Sequence, residues 1–249
     1  MKPESVDRDP VTELAHLISL PGTVVTWLNH WSIQHANWSA LSRVNYIGID
    51  GTLLQLLLRR AGWALGRTSA DLVLPVFFRD VLPSGSAVAL IGAAPGVAAN
   101  AGERITRHRV QAWDGYEQLR TLRADPGDLV QFAPDVIVLG LGAGLQDELA
   151  VELHEILPGA VICTAGGWID QFARREQYFP AWVHSLRLGW LWRIIHEPRR
   201  LTRRYTLDAV AVLLGRRRYV GKLRAIGAQP NPVCLEVSQP APPPGGPAQ

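Results

Sequence analysis

The sequence is poor in sulfur: its 249 residues include two cysteines, Cys163 and Cys234, and one methionine. Two distant thiols with no metal or redox spacing exclude a disulfide scaffold and suit a reducing cytoplasm. Long apolar runs are missing too. The longest stretches, such as 134–145 and 158–169, are broken by Gly and Pro at strand-like lengths, short of the roughly 18–20 residues that cross a bilayer. The first fifteen residues carry Glu4, Asp7, Asp9 and Glu13, so no secretory leader is expected. Metal-ligand spacing is absent: the seven histidines (16, 30, 35, 108, 154, 184 and 196) are scattered, with no H-E-x-x-H, and no metal centre is expected. There is little net charge, +3 from 25 Lys and Arg against 22 Asp and Glu. No internal repeat is visible.

What is present suffices for a large core. Apolar residues make up 47% of the chain and charged residues 19%, which excludes wholesale disorder and suits one large domain with an appendage. Residues 1–12 are polar, with Pro3 and Pro10, and read as a loose N-terminal arm. Residues 229–249 hold seven prolines and read as a disordered tail. Between them, residues 13–186 read as a core of alternating short apolar runs and helical patterns. Strands are expected at Thr23–Trp27, Ser86–Gly92, Asp135–Gly140 and Ala160–Thr164, with helices at Leu53–Leu65, Pro95–Ile105 and Gln146–Leu157. Strand, loop and helix in repetition predict an α/β domain with a Rossmann-like, largely parallel sheet flanked by helices. Ligands bind such sheets at the carboxyl ends of the strands.

Charge is unevenly placed. Residues 187–224 carry eleven Lys and Arg against Glu197 and Asp208, a net +9, whereas residues 1–186 sum to −5. Residues 187–228 therefore read as a basic amphipathic helical appendage. Leu188, Leu191, Trp192 and Ile195 share one helical face, Thr206–Leu214 is nearly all apolar, and Arg216–Arg218 follow at once. Trp182, Trp190 and Trp192, three of nine tryptophans, are interleaved with the arginines. A solvated basic face is the plain alternative. Aromatic, basic and apolar residues together suit a helix on an anionic membrane. They also suit nucleic acid, but the strands carry no RNA-binding aromatic motif, so the membrane ranks first and no nucleic-acid partner is expected.

Six local features bear on chemistry. Asp50, in Gly48-Ile49-Asp50-Gly51, falls at a strand–helix junction, where a helix N-terminus attracts negative charge; a plain Asx turn or N-cap is the alternative. Gly140-Leu141-Gly142-Ala143-Gly144 follows a strand and opens a helix, so its N–H groups suit a diphosphate or cofactor. It departs from G-x-G-x-x-G and fits the looser G-x-G-x-G of S-adenosylmethionine enzymes; close helix–strand packing explains it equally well. Gly92-Ala93-Ala94-Pro95-Gly96 is a second such turn. Asp170, just past a strand, suits a ribose or base contact, or a helix cap. Arg199, Arg200, Arg203 and Arg204 fall on successive turns and suit bidentate phosphate binding. Asp7-Arg8-Asp9 has a metal-holding D-x-D spacing, but in the expected loose arm.

Over residues 23–213, these motifs together resemble the WecG/TagA/CpsF glycosyltransferases, glycosyltransferase family 26. The blocks occur in order: Thr26-Trp27-Leu28-Asn29-His30-Trp31-Ser32; Gly48-Ile49-Asp50-Gly51; Arg67-Thr68-Ser69-Ala70-Asp71-Leu72; Leu90 to Ala98; Asp114-Gly115-Tyr116; Pro134 to Gly142 with Gln146-Asp147; Gly166-Gly167-Trp168-Ile169-Asp170; and Leu188 to Arg193 with Glu197-Pro198-Arg199 and Arg203-Arg204-Tyr205. The family's Pro-Lys before Gln146 is Gly144-Leu145 here, its Glu is Asp147, its Arg-Ala-Pro is Tyr178-Phe179-Pro180, and its Glu before Trp190 is Gly189.

The resemblance implies an inverting, metal-independent hexosyltransferase. It would move a sugar from a nucleotide sugar, commonly UDP-linked, to a polyprenyl-diphosphate-linked saccharide in exopolysaccharide or cell-surface polysaccharide assembly. The enzyme would be cytoplasmic, peripheral on the inner face of the plasma membrane. No cofactor is implied, the UDP-sugar being a substrate. By resemblance, Asp50 is the general base and Thr26 and Asn29 sit near the donor at the end of the first strand. Gly92, Gly142, Gln146 and Asp170 line the substrate pocket. Arg199, Arg203 and Arg204 fold back over the site to meet diphosphate. Association into a homo-oligomer stays open. Two rivals remain. A methyltransferase reading of Gly140–Gly144 needs an acid at the end of the next strand, and Asp170 comes about six residues late. A non-enzymatic basic module, binding membrane or nucleic acid, leaves the Asp-Gly and Gln-Asp blocks unused.

Overall fold

The computed structural model describes residues 9–174 and 198–238, with the side chains of 198–205 outside the description. Among these residues one sheet is formed by β1 (Val24–Leu28), β2 (Tyr46–Ile49), β3 (Ala87–Gly92), β4 (Arg109–Trp113), β5 (Val136–Gly140), β6 (Val161–Thr164), β7 (Ala228–Pro230) and β8 (Leu235–Val237). The strand order is β4-β3-β5-β6-β1-β2-β8-β7. β4 through β2 pair in parallel, β8 runs antiparallel to β2, and β7 antiparallel to β8. The helices are α1 (Pro10–Leu17), α2 (Ser32–His35), α3 (Trp38–Leu41), α4 (Thr52–Arg60), α5 (Ala70–Val76), α6 (Val97–Gly102), α7 (Glu117–Ala124), α8 (Gly127–Phe132), α9 (Leu145–Ile156), α10 (Trp168–Arg174), α11 (Pro198–Leu214) and α12 (Arg216–Ala225). The fold is the expected α/β sheet flanked by helices.

Composition explains the layers. β1, β3, β5 and β6 are apolar runs buried along their whole length, as strands covered on both faces must be. Alternate residues serve opposite faces. Ile137 and Leu139 join one apolar cluster with Leu54 of α4, Leu149 of α9 and Leu223 of α12. Val136 and Val138 join another with Leu14 of α1, Leu74 of α5 and Ile169 of α10. α5 ends in a π-helical turn, Phe77–Val81, two residues after Pro75. Proline offers no N–H to the preceding turn, which favours that wider register.

Three expectations about the chain's ends are corrected. The arm expected over 1–12 is helical from Pro10, because Pro10 at the first helical position is preorganised and Leu14, Ala15 and Ile18 need burial. The disordered tail expected over 229–249 contains β8 and the last two residues of β7, with Val233, Cys234, Leu235 and Val237 buried. The apolar residues of that stretch outweigh Pro230 and Pro232, which sit at a strand end and in the turn. This hairpin also ties down the segment before α5: Gly66 N–H donates to the Pro232 carbonyl (2.9 Å) and the Thr68 hydroxyl to the Val233 carbonyl (2.8 Å). The appendage expected over 187–228 is in part core, since Val212, Val220 and Leu223 are buried. The face of Leu188, Leu191, Trp192 and Ile195, and the tryptophans 182, 190 and 192, lie outside the described residues.

Candidate active site

The helices after β3 and β5 go to opposite faces of the sheet, α6 to one and α9 to the other. Such a switch leaves a crevice beyond the strand ends. A cleft of about 980 Å³ opens there and extends along the carboxyl ends of β6, β1 and β2.

The β3–β5–β6 side is made largely of backbone. Gly92 (φ +140°) ends β3 so close to β5 that a side chain would run into the Gly140 carbonyl. Ala93, held at φ +61°, donates its N–H to the same carbonyl (3.2 Å) and accepts from Gly115 N–H (2.9 Å). Gly140 lies under Ile169, whose Cδ1 would be 2.6 Å from an added Cβ. Gly92 is thus a packing glycine beneath the cleft, whereas Ala93, Ala94, Gly140 and Gly142 line it. Gln146, in the first turn of α9, is buried and accepts a hydrogen bond from Gly166 N–H through Oε1 (3.2 Å). Its amide nitrogen makes no hydrogen bond among the described residues. Asp170 lines the same end with Gln171 and Arg174 of α10.

The β1–β2 side is made of side chains. Asp50 leaves β2 with its N–H bonded to the Leu28 carbonyl (2.8 Å), and α4 begins two residues later, after Gly51 at φ +85°. Its carboxylate lines the cleft. Asn29, the first residue past β1, faces it. Asn29 Oδ1 accepts from the N–H groups of Trp31 and Ser32 (both 2.9 Å), and Nδ2 donates to Asp50 Oδ2 (3.3 Å). With Oδ1 held by two backbone donors, the amide has one way to face, and its NH2 group meets the carboxylate.

Thr26 does not reach the cleft. It sits within β1, fully buried, its hydroxyl 2.6 Å from that of Thr164 on the neighbouring strand. The strand ends one residue later than expected, which leaves Thr26 in the sheet and puts Asn29 at the edge. Arg199, Arg203 and Arg204 belong to α11, and their side chains lie outside the described residues. The structure therefore gathers Asp50, Asn29, Gly142, Gln146 and Asp170, and keeps Thr26 and Gly92 below.

Sequence reasoning missed Asp71, Trp31, His35, Tyr116 and Asp208, which also line the cleft. Asp208 comes from α11, whose backbone carbonyl at that residue accepts from Gln34 Nε2 (3.1 Å). Its sequence signal was a lone acid in a helix otherwise apolar and basic. Asp147 lies just outside. Buried at 2% exposure, it accepts from Gly144 N–H (3.2 Å) and Asn37 N–H (3.1 Å). Burial pushes its carboxyl above the ordinary range, against the pull of those two donors. Among the described residues, no three His, Cys, Asp or Glu side chains gather to hold a metal ion, and no helix is long and apolar enough to cross a membrane.

Known proteins resemble the chain in sequence. Residues 7–224 match the glycosyl transferase WecG/TagA/CpsF family. A Shigella boydii UDP-Gal:alpha-D-GlcNAc-diphosphoundecaprenol beta-1,4-galactosyltransferase is 28% identical over 181 residues, 69% of this chain and 76% of that protein. A Bacillus subtilis N-acetylglucosaminyldiphosphoundecaprenol N-acetyl-beta-D-mannosaminyltransferase is 31% identical over 99 residues, 40% of this chain and 38% of the relative.

Proposed function

The chain belongs to the WecG/TagA/CpsF family of glycosyltransferases, and from that premise we propose that it transfers a hexose from a UDP-sugar to a saccharide carried on polyprenyl diphosphate, with inversion and without a metal, in cell-surface polysaccharide assembly. The observation that carries this reading is Asp50, set at the edge of a switch-point cleft and oriented by the Asn29 amide. The nucleotide lies over the β3–β5–β6 ends, against Gly140–Gly142 and within reach of Gln146 and Asp170. Asp50 takes the proton of the acceptor hydroxyl as that oxygen bonds to the anomeric carbon and the bond to the UDP oxygen breaks. A placed base of this kind contributes about 10²–10⁴-fold. Arg199, Arg203 and Arg204 are the proposed partners of diphosphate charge.

A lipid-linked acceptor calls for a membrane surface, and α11 offers one. Leu207 (65% exposed), Val210, Leu213 and Leu214 (84% exposed) recur at helical spacing, and Arg216–Arg218 follow. An apolar stripe beside a basic cluster suits the cytoplasmic leaflet, so we place the enzyme peripherally on that face.

The test is a panel of UDP- and GDP-sugars, read first by protection against thermal unfolding and then by transfer to prenyl-diphosphate-linked N-acetylglucosamine. One UDP-sugar should protect and be transferred, and Asp50→Asn should lower turnover about 10³-fold while UDP still protects. Near-normal turnover in that variant would remove the general-base role.

A further inference from the structure

Inverting displacement gives the cleft two sides. Nucleophile and leaving group stand on opposite faces of the anomeric carbon. With UDP over the β3–β5–β6 ends and Asp50 at the end of β2, the acceptor sugar must approach from the β1–β2 side. Trp31 and His35 line the cleft there, their rings stacked with centroids 4.3 Å apart and planes within 25°. The Trp31 carbonyl lies 2.9 Å from His35 Nδ1, which fixes the pair to each other across one turn of α2. Gln34 of that turn holds the Asp208 carbonyl, so α2 presents the aromatic pair and anchors the carboxylate-bearing turn of α11. Asp208 is the one acidic residue of 198–225, among nine Lys and Arg.

We propose that Trp31, His35 and Asp208 form the subsite for the acceptor sugar ring that presents the attacking hydroxyl. The chemistry suits a pyranose. Its C–H face packs on an aromatic face, as apolar surface does elsewhere, and its hydroxyls donate to a carboxylate in charge-assisted bonds. A negative side chain at that place repels diphosphate, so the subsite takes the sugar and not the phosphates that follow it. The inference rests on the function proposed above.

Calorimetric titration of the full chain with three probes tests it: farnesyl-diphosphate-linked N-acetylglucosamine, farnesyl diphosphate and UDP. Wild type should bind the sugar-bearing probe more tightly than the sugarless one. Asp208→Asn and Trp31→Ala should each cut that advantage about tenfold and leave UDP affinity unchanged. Asp208→Asn keeps the backbone contact with Gln34, so it reads the carboxylate even if Trp31→Ala folds poorly. An undiminished advantage in both variants would overturn the subsite. So would an equal loss for both farnesyl probes, or a loss of UDP binding. A wild type that bound UDP and transferred sugar without preferring the sugar-bearing probe would remove the subsite alone. One that neither bound UDP nor transferred sugar would remove the proposed function with it.

Discussion

The two sides of the cleft are built by different means. On the β3–β5–β6 side, Ala93, Gly140 and Gly142 bring main chain to the surface, and Gly92 beneath them lets two strand ends touch. On the β1–β2 side the lining is made by the side chains of Asn29, Asp50, Trp31 and Asp208: the Asn29 amide holds the Asp50 carboxylate, and hydrogen bonds to the backbone of Trp31 and Asp208 hold their segments in place. Bare N–H groups and close approach suit the nucleotide proposed for the first side, and a carboxylate that cannot turn away suits the proton transfer proposed for the second. The same contrast predicts where damage falls: on folding for the first side, on turnover for the second.

Gly92→Ala should break the backbone side outright. The residue is at φ +140° and its Cβ would meet the Gly140 carbonyl, so we expect a loss of about 2–4 kcal/mol in denaturant unfolding, where Asp50→Asn costs far less stability. Asn29→Ala sharpens the side-chain half. Freed from its donor, Asp50 should turn over about tenfold more slowly, or about 1.4 kcal/mol, at unchanged UDP affinity; weakened UDP binding would make Asn29 a donor contact. Changing Leu207 and Leu214 together to serine touches neither side of the cleft. It should weaken sedimentation with anionic vesicles about tenfold and leave transfer to a soluble short-chain acceptor intact. Deleting everything after residue 187 would not isolate that role, because Val220, Leu223, Cys234 and Leu235 go with it.

The smallest effect is expected at the seam between the two sides. Asp147→Asn keeps an acceptor for Gly144 and Asn37, so stability should change by no more than about 1 kcal/mol. Its sign follows from the raised carboxyl. Above pH 3.8, the ordinary value for Asp, the native state still holds a proton that the unfolded chain has released. Wild type should therefore lose stability relative to the variant as pH rises through that window. Unfolding at about pH 4 and pH 7 reads the difference.

Much of the backbone side was legible in sequence. Runs such as VIVLG and AVALIG announce buried parallel strands, and glycines at their ends announce the turns. β4 was missed: RVQAW alternates exposed and partly buried residues at the sheet edge, too short and polar to stand out. The hairpin β7–β8 was missed for a related reason, since two three-residue strands around Pro232 look like the disordered composition that follows. The side-chain half was legible only at Asp50 and Asn29, where sequence neighbours set the geometry. Asp208 enters from a helix 158 residues after Asp50, and no local pattern encodes that meeting. Thr26 misled because a polar residue near a strand end reads the same whether it faces a ligand or another threonine.

The C-terminal hairpin also sets a schedule. β8 covers the free edge of β2, the strand that delivers Asp50, yet it is synthesised about 190 residues later. At about 5–20 residues per second, that edge emerges from the ribosome and waits roughly ten to forty seconds for its partner. An unpaired edge invites pairing with other chains, so the nascent chain is most exposed to aggregation while the strand that carries Asp50 is finished and its cover is not.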